Sequence, residues 1–590
     1  MKRIEVPNRI IDILPTYLKN YGGDGILFSY KCKGEWLSYS GKIFSQLVDN
    51  LSINLINRGL NKHDHIAIVS SNNPEWNIID FAVQQIGSVV VPIYPNISHT
   101  EFSYIVEHSA VKMIFIENYR LYLKYKDIID NFIDNENVIF IKDSGMQNSL
   151  DQMLKSDNIG NKAICLEKIR ESVKPQDTAT ILYTSGTSGI PKGVALTHEN
   201  IMCNIDAYLH RFPVIKVALS YLPLTHILER STQYTRIVSG VSIYYNENVG
   251  TIMRDIVDVN PGSFSTIPRV MEKIYSYIIK TVNAQKGFKK RLSLWAINLA
   301  NKYDVTKKNN GFIYSIKLGL AKHLVLNKIK KSVLGKNIEF VSLGGAAAQP
   351  MLVRFFTAMG VSLFEGYGLT ETSPVISICG NDAIKIGTVG KPCENIDVKI
   401  SDIDSEIMVK GPSVIKSYYN NDRLNMTSFT KDGYFRTGDK GYIDTEGYLV
   451  LSGRIKEIFK TSMGKYICPS AIENKLNESV WFNNIMVVGE YQRYAAALIV
   501  PNFEMIELYC KEHNIEYLNN EQIVKNKLVI KRYQQEIDVY NKFFGASEQI
   551  NNFTLLDHEW TIEAGELTPS YKIKRDVIIE RYSEQINSLF

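Results

Sequence analysis

Thr184-Ser185-Gly186-Thr187-Ser188-Gly189-Ile190-Pro191-Lys192-Gly193 follows the apolar run Ala179-Thr180-Ile181-Leu182-Tyr183 and leads directly into Val194-Ala195-Leu196. The flanks read as strands, and the residues between them read as a loop clamped at both ends. Three glycines, four small hydroxyls and one lysine make that loop dense in hydrogen-bond donors, with backbone able to approach a ligand closely. Donors with one cation and no acidic neighbour suit a polyphosphate. Lys192 lies six residues after Gly186, is preceded by Pro191 and is followed by Gly193. That is not the spacing of G-x-x-x-x-G-K-[ST], so an NTPase of the Walker type is not the reading. A Gly/Ser linker is the ordinary fate of such composition. The strand-like runs on both sides, well inside the chain, argue against it.

Bulk properties set the frame around this loop. The chain has 590 residues, more than one core usually supports, so at least two domains are expected. At 45% hydrophobic and 22% charged it reads as globular, and a net charge of +5 does not mark a nucleic-acid binder. Seven scattered cysteines without a C-x-x-C support neither a zinc ribbon nor a disulfide framework; reduced thiols in a cytoplasmic protein are the default. The N-terminus lacks the apolar stretch of a signal peptide, and no charge-free run reaches about 18 residues. The expectation is a soluble protein, at most peripheral at the inner face of a membrane.

Strand-like runs such as Ile66–Val69, Gly87–Tyr94, Val111–Ile116 and Val138–Ile141 alternate with longer amphipathic stretches such as Asn77–Gln85, which argues for α/β architecture. A basic, helix-rich stretch runs from Val270 to Lys331, with Lys289-Lys290-Arg291 beside Leu292, Leu294 and Trp295. It reads either as a solvated helix face or as a surface for an anionic membrane, and composition favours the solvated face. After the turn-rich segment Asp432–Arg454 the chain changes to short strands and charged helices. A hinge is placed at Lys456, dividing the chain into domains 1–455 and 456–590.

Three further strings carry chemistry. Gly344-Gly345-Ala346 ends the run Phe340–Leu343, where paired glycines let either a flat ring or a packed helix approach the backbone. Phe364-Glu365-Gly366-Tyr367-Gly368-Leu369-Thr370-Glu371-Thr372 offers a ring at Tyr367 to stack on a base, a hydroxyl at Thr370 for a phosphate and a hard oxygen at Glu371 for magnesium. A carboxylate facing a polyphosphate needs a cation between them, so Mg²⁺ is implied. Asp439, in Tyr434-Phe435-Arg436-Thr437-Gly438-Asp439, can accept hydrogen bonds from vicinal ribose hydroxyls, and Arg454 can hold the same ribose or a phosphate.

In order, these strings resemble the core motifs of the acyl-adenylate-forming superfamily over most of the chain. Tyr221-Leu222-Pro223-Leu224-Thr225-His226-Ile227-Leu228-Glu229-Arg230 and Ile267-Pro268-Arg269-Val270-Met271-Glu272-Lys273-Ile274-Tyr275 look like those of its long-chain acyl-CoA synthetase branch. The resemblance implies a large N-terminal domain of several subdomains, with mixed β-sheets flanked by helices, and a small mobile C-terminal α+β domain. It implies an ATP-dependent activation of a long-chain fatty acid to acyl-AMP, then transfer to coenzyme A. The partners would be small molecules, not nucleic acid, and the protein a monomer or homodimer. ATP would be held by Thr184, Ser185, Gly186, Thr187, Ser188, Gly189, Lys192, Gly344, Gly345, Ala346, Glu365, Gly366, Tyr367, Gly368, Thr370, Asp439 and Arg454, and Mg²⁺ by Glu371 and Thr184.

The resemblance also implies that Lys572, His226, Glu371 and Thr184 act at the reacting atoms, with His226 beside the acyl entrance. Within Gly565-Glu566-Leu567-Thr568-Pro569-Ser570-Tyr571-Lys572-Ile573-Lys574-Arg575, Lys572 aligns with the lysine that reaches the carboxylate and α-phosphate, in preference to Lys574. Tyr571 stands where most relatives have glycine. Met463 and Tyr466 likewise depart from the glycine and asparagine of many members, which bears on the thiol channel. Two rivals follow: an acyl-AMP ligase serving a carrier protein, and a non-catalytic nucleotide-binding relative. The second would be expected to have lost Glu371, Asp439 or the C-terminal lysine, and all are present.

Overall fold

The computed structural model describes residues 4–143, 145–146, 148–155, 160–184, 190–246, 248–380, 384–568 and 571–590. By packing, the chain falls into two compact units. One runs through Ala346 and adds Val353–Val398 and Val409–Arg436; the other takes Ala347–Leu352, Lys399–Met408 and Thr437–Phe590. The mixed α/β class expected from the alternating pattern is the class observed. Lys456 lies inside the second unit, in the short turn Ile455–Glu457.

In the first unit the helix Ile13–Tyr21 is followed by a hairpin, β1 (Ile26–Cys32) and β2 (Glu35–Ser40). It then builds a six-stranded sheet from β3 (His65–Val69), β4 (Val89–Ile93), β5 (Met113–Ile116), β6 (Val138–Phe140), β7 (Thr178–Thr184) and β8 (Lys192–Thr197), in the order β6-β5-β3-β4-β7-β8. Strands β3, β4 and β5 read as unbroken apolar runs because both their faces are covered, as parallel strands require. The helix Pro74–Gln85 starts where Asn73 accepts a hydrogen bond from Trp76 N (2.7 Å) and Pro74 fixes the first turn. Every residue of that helix except Glu75 is buried.

A second sheet follows, from β9 (Val217–Ser220), β10 (Ser242–Tyr245), β11 (Ser263–Thr266), β12 (Phe340–Leu343), β13 (Ser362–Gly368), β14 (Val375–Ile378) and β15 (Lys391–Pro392). With the β1–β2 hairpin it makes nine strands, ordered β15-β14-β13-β12-β11-β9-β10-β1-β2. Its central strands β10, β9, β11, β12 and β13 are all parallel. Their carboxyl ends therefore face the same way, and open parallel sheets bind ligands in the crevice beyond such ends.

A four-stranded sheet, β16 (Asp397–Ile400), β17 (Glu406–Lys410), β18 (Phe435–Ile443) and β19 (Leu449–Arg454), lies mainly in the second unit. The short pair β20 (Phe459–Lys460) and β21 (Tyr466–Ile467) comes next. A three-stranded sheet, β22 (Phe482–Val488), β23 (Ala495–Pro501) and β24 (Ile550–Leu555), completes the unit. One face of the last sheet packs on a core around Trp481, Tyr533 and Ile537, and the other on Trp560, Ile578 and Tyr582. The seven cysteines are all free thiols.

Candidate active site

The motif residues of the first unit gather at the carboxyl ends of its parallel strands. His226 follows β9, Ile267 and Pro268 follow β11, Gly344-Gly345-Ala346 follow β12, and Gly366 to Glu371 end or follow β13. Register ties them together, since Thr266 pairs with Leu343 and Leu343 with Glu365. Glu365 and Tyr367 are buried. The glycine at 344 answers to packing, because an added Cβ would lie 2.9 Å from the Leu228 side chain. Gly368 is more tightly constrained: a Cβ there would stand 1.7 Å from the carbonyl oxygen of Pro374.

Across the sheet pair β7–β8, Thr184 stands opposite Lys192 in antiparallel register. Ser185, Gly186, Thr187, Ser188 and Gly189 lie outside the described residues. The Lys192 ammonium sits 5.6 Å from the centre of the Tyr418 ring, and the Tyr418 hydroxyl donates to Glu371 Oε1 at 2.8 Å. Burial first, and the Glu371 carboxylate second, push the Tyr418 hydroxyl well above its ordinary pKa, so it stays a donor. The segment carrying Tyr418 is pinned on both sides. Ile415 N donates to Glu371 O (2.9 Å) and Ser373 Oγ to Ser413 O (2.8 Å), while Tyr419 N donates to Gly193 O (2.8 Å). Strand β8 and the turn Thr370–Thr372 are thus held to one another through residues 413–419.

Tyr418 was not foreseen from sequence. Its partners lie far away along the chain, and the string Ser417-Tyr418-Tyr419-Asn420 has no spacing signature. Asn72 was missed for the same reason. It donates to Leu222 O (2.6 Å) and accepts from Leu224 N (2.9 Å), which fixes the loop before His226. His226 itself caps the helix Ile227–Val238, its Nδ1 accepting from Leu228 N at 3.2 Å.

Glu229 and Arg230, which sequence pattern set beside the acyl entrance motif, are wholly buried. Arg230 pairs with Asp80 and donates to Thr180 Oγ1 (2.7 Å), and Glu229 pairs with Arg236 at 3.1 Å. Burial disfavours the Arg230 cation, but Asp80 and Tyr234 together outweigh it and the net shift is upward. Burial raises the Glu229 carboxyl. Arg230 thus locks the His226 helix to the helix Pro74–Gln85 and to β7, while the Glu229 pair lies within the helix itself.

A pocket opens along the same helix, walled by Phe212, Leu228, Thr232, Thr235, Phe340 and Ile378 among others. Three hydroxyls of its helical wall are bonded to backbone carbonyls of their own helix. Thr232 Oγ1 donates to Leu228 O (2.6 Å), Thr235 Oγ1 to Ser231 O (2.8 Å) and Ser239 Oγ to Thr235 O (2.7 Å). Satisfied by their own helix carbonyls, these side chains leave the pocket an apolar surface.

In the second unit, Asp439 and Arg454 face each other in register across β18 and β19, with Arg454 Nε 2.8 Å from Asp439 Oδ1. Lys572 is exposed on a tight turn. Thr568 N donates to Lys572 O (2.8 Å), Lys572 N donates to Thr568 Oγ1 (3.0 Å), and Leu567 pairs with Ile573. Tyr571 takes φ +61°, the left-handed conformation that glycine adopts freely. Pro569 and Ser570 lie outside the described residues. The turn is anchored by Glu566, which receives Tyr582 Oη at 2.6 Å and pairs with Arg581 at 2.9 Å. Those bonds overcome burial and lower its carboxyl. Lys574 instead begins the helix Arg575–Arg581, its N–H donating to Glu566 O at 2.8 Å.

The donor set suits magnesium carried by a polyphosphate. Mg²⁺ takes one or two carboxylates plus phosphate and water, and Glu371 supplies one carboxylate beside the β7–β8 turn. No cluster of three or more His, Cys, Asp or Glu forms a protein-only cage among the described residues.

Residues 19–419 match the AMP-binding enzyme family, and the chain belongs to that family. Two similar curated proteins are a long-chain-fatty-acid–CoA ligase of Mycobacterium bovis and a peroxisomal long chain acyl-CoA synthetase of Arabidopsis thaliana. The first is 28% identical over 96% of this chain and 94% of its own length; the second is 29% identical over 96% and 82%. Among solved structures, the A domain of a carboxylic acid reductase from Segniliparus rugosus has a TM-score of 0.73 at 17% identity, covering 98% of this chain and 94% of its own. The o-succinylbenzoate CoA synthetase of Bacillus subtilis, solved with ATP and magnesium, has a TM-score of 0.65 at 20% identity, covering 96% and 98%. The resemblance read from the motifs is borne out at the level of family and fold.

Proposed function

We propose that the protein is an AMP-forming long-chain fatty acid–CoA ligase. The observation that carries the reading is the gathering of His226, Gly344, Glu365 and Glu371 at the ends of β9, β12 and β13, beside an apolar pocket that shares Leu228 with the Gly344 contact. The relatives named above, which are long-chain acyl ligases by name, point the same way.

A carboxylate is a poor acyl donor because its leaving group would be an oxide dianion. One fatty-acid carboxylate oxygen attacks the α-phosphorus of ATP, the bond from that phosphorus to the bridging oxygen breaks, and pyrophosphate leaves with the electron pair. Bringing two anions together calls for positive charge and positioning. Lys572 neutralises the carboxylate and α-phosphate oxygens, while Lys192 and the β7–β8 turn hold the β- and γ-phosphates. Glu371 and Thr184 would hold magnesium, which when bound would neutralise charge on those phosphates. Asp439 and Arg454 take the ribose, and the Gly344–Ala346 and Glu365–Thr370 segments the base and α-phosphate. In the second step the coenzyme A sulfur attacks the acyl carbonyl carbon, the carbon–oxygen bond to AMP breaks, and the thiol proton passes to solvent. Rotation of 456–590 about Lys456 would free Lys572 from the thiol's path.

The test is fatty-acid-dependent ATP–pyrophosphate exchange, followed by product analysis with palmitate and coenzyme A. Palmitoyl-CoA and AMP are expected from the wild type, and Lys572→Ala should lose at least about 100-fold of the exchange. Acyl-AMP accumulating without thioester would instead favour the carrier-protein ligase. Unchanged exchange in the variant would remove Lys572 from the reaction.

A further inference from the structure

The helices Gly287–Ala300 and Phe312–Ala321 pack on one another in the first unit, joined by Tyr314 Oη donating to Leu299 O at 2.9 Å. The second of them has two apolar faces. Leu318, Ala321 and Val325 point inward and are buried. Phe312, Ile313, Ile316, Leu320 and Leu324 point outward, with Phe312 81% and Ile313 69% exposed. Their spacing of three and four residues draws one stripe along the helix and the π-helical segment Lys322–Leu326 that continues it. On the neighbouring helix, Phe288, Arg291 and Trp295 share a face, Phe288 being 79% exposed. A helix apolar on every side belongs in a core or against another apolar phase, and a contiguous apolar patch on a protein surface marks an interaction site.

The charge around the stripe identifies the phase. Residues 284–338 hold thirteen lysines and arginines and a single acid, Asp304. That carboxylate is spent locally, accepting from Thr306 N (3.0 Å), Thr306 Oγ1 (2.8 Å) and Asn309 N (3.0 Å). A second copy of the chain would bring two such basic surfaces together, which repel. A nucleic acid would use the lysines and leave the Phe312–Leu324 stripe in water. No helix among the described residues is long and apolar enough to cross a membrane. We infer that this helix pair seats on the surface of an anionic phospholipid bilayer, with the Phe312–Leu324 stripe, Phe288 and Trp295 entering the headgroup region and the surrounding lysines pairing with lipid phosphates. Composition alone favours a solvated face; the exposed stripe is the observation that argues for the bilayer.

Co-sedimentation of the full chain with phosphatidylglycerol–phosphatidylcholine vesicles, against phosphatidylcholine vesicles alone, tests the inference. Binding is expected only to the anionic vesicles and should fall with salt. The double variant Phe312→Ser/Ile316→Ser should weaken it by about tenfold or more. Lys289→Glu/Lys290→Glu should cost at least about fivefold per lysine removed. Exchange activity without vesicles should be unchanged in both, which shows that the variants are folded. Lack of binding to anionic vesicles would overturn the inference. So would vesicle binding that survives the loss of Phe312 and Ile316, since that is electrostatic adsorption without insertion. Light scattering that shows a dimer in wild type but not in Phe312→Ser/Ile316→Ser would overturn it in favour of a contact between copies.

Discussion

Tyr418 is the residue that joins Lys192 at the start of β8 to Glu371 in the turn Thr370–Thr372. Its ring faces Lys192 and its hydroxyl holds Glu371, so cation and carboxylate are kept apart by an aromatic spacer. Tyr418→Phe removes the hydroxyl and keeps the ring. The expected result is a drop in ATP–pyrophosphate exchange of roughly tenfold, one charge-assisted hydrogen bond's worth, with Lys192 still in place. A titration of exchange against MgATP measures it. Tyr571 makes a second residue-scale case. Glycine is the usual residue there in the superfamily, with tyrosine in long-chain members, and the backbone at φ +61° is one that glycine adopts freely. Tyr571→Gly should therefore leave exchange intact, whereas Tyr571→Val should destabilise the Lys572 turn by about 1–2 kcal/mol, because a β-branched side chain resists that conformation. Denaturant unfolding of the two variants separates these outcomes.

Among the elements, the His226 helix carries the heaviest internal constraint. Arg230 and Asp80 form an ion pair with both side chains fully buried, and removing one partner strands a charge in the core. Asp80→Asn is expected to cost about 3–5 kcal/mol in a denaturant melt, while a matched apolar pair at both positions would cost far less. The helix His198–Leu209 brings a pH dependence. Burial lowers the His198 imidazole to about 3, and its Nδ1 accepts from Ile10 N at 3.3 Å. The unfolded chain then binds the proton more readily, so the stabilisation is complete above the free-histidine pKa and is lost as pH falls toward 3. The limiting slope is about 1.4 kcal/mol per pH unit below roughly pH 6.5, and His198→Asn should flatten it. The strands β3, β5, β7 and β12 were legible in the sequence because buried parallel strands advertise themselves as apolar runs. So were the glycine strings, which can serve only where backbone comes close to something. What was not legible is how distant segments meet. Glu229-Arg230, legible only as the tail of a branch-specific string, are spent on structure: Arg230 ties its helix to Asp80 and Thr180, and Glu229 pairs with Arg236 inside the helix. Tyr418 and Asn72, with no pattern around them, sit at the joints.

At the scale of the whole molecule, the net charge of +5 is a poor description. Residues 284–338 carry +12, so the remaining chain, with 54 basic and 61 acidic residues, carries −7. Such a molecule has a large electric dipole, and its behaviour at a charged surface is set by orientation rather than by its total. On a sulfonate resin it should be held by its basic side even at the pH where its net charge vanishes, and Lys289→Glu/Lys290→Glu should elute at markedly lower salt than a variant with two lysines reversed elsewhere. The same asymmetry would orient the protein in the field of a charged interface before any side chain touches it, so that approach and alignment are one event.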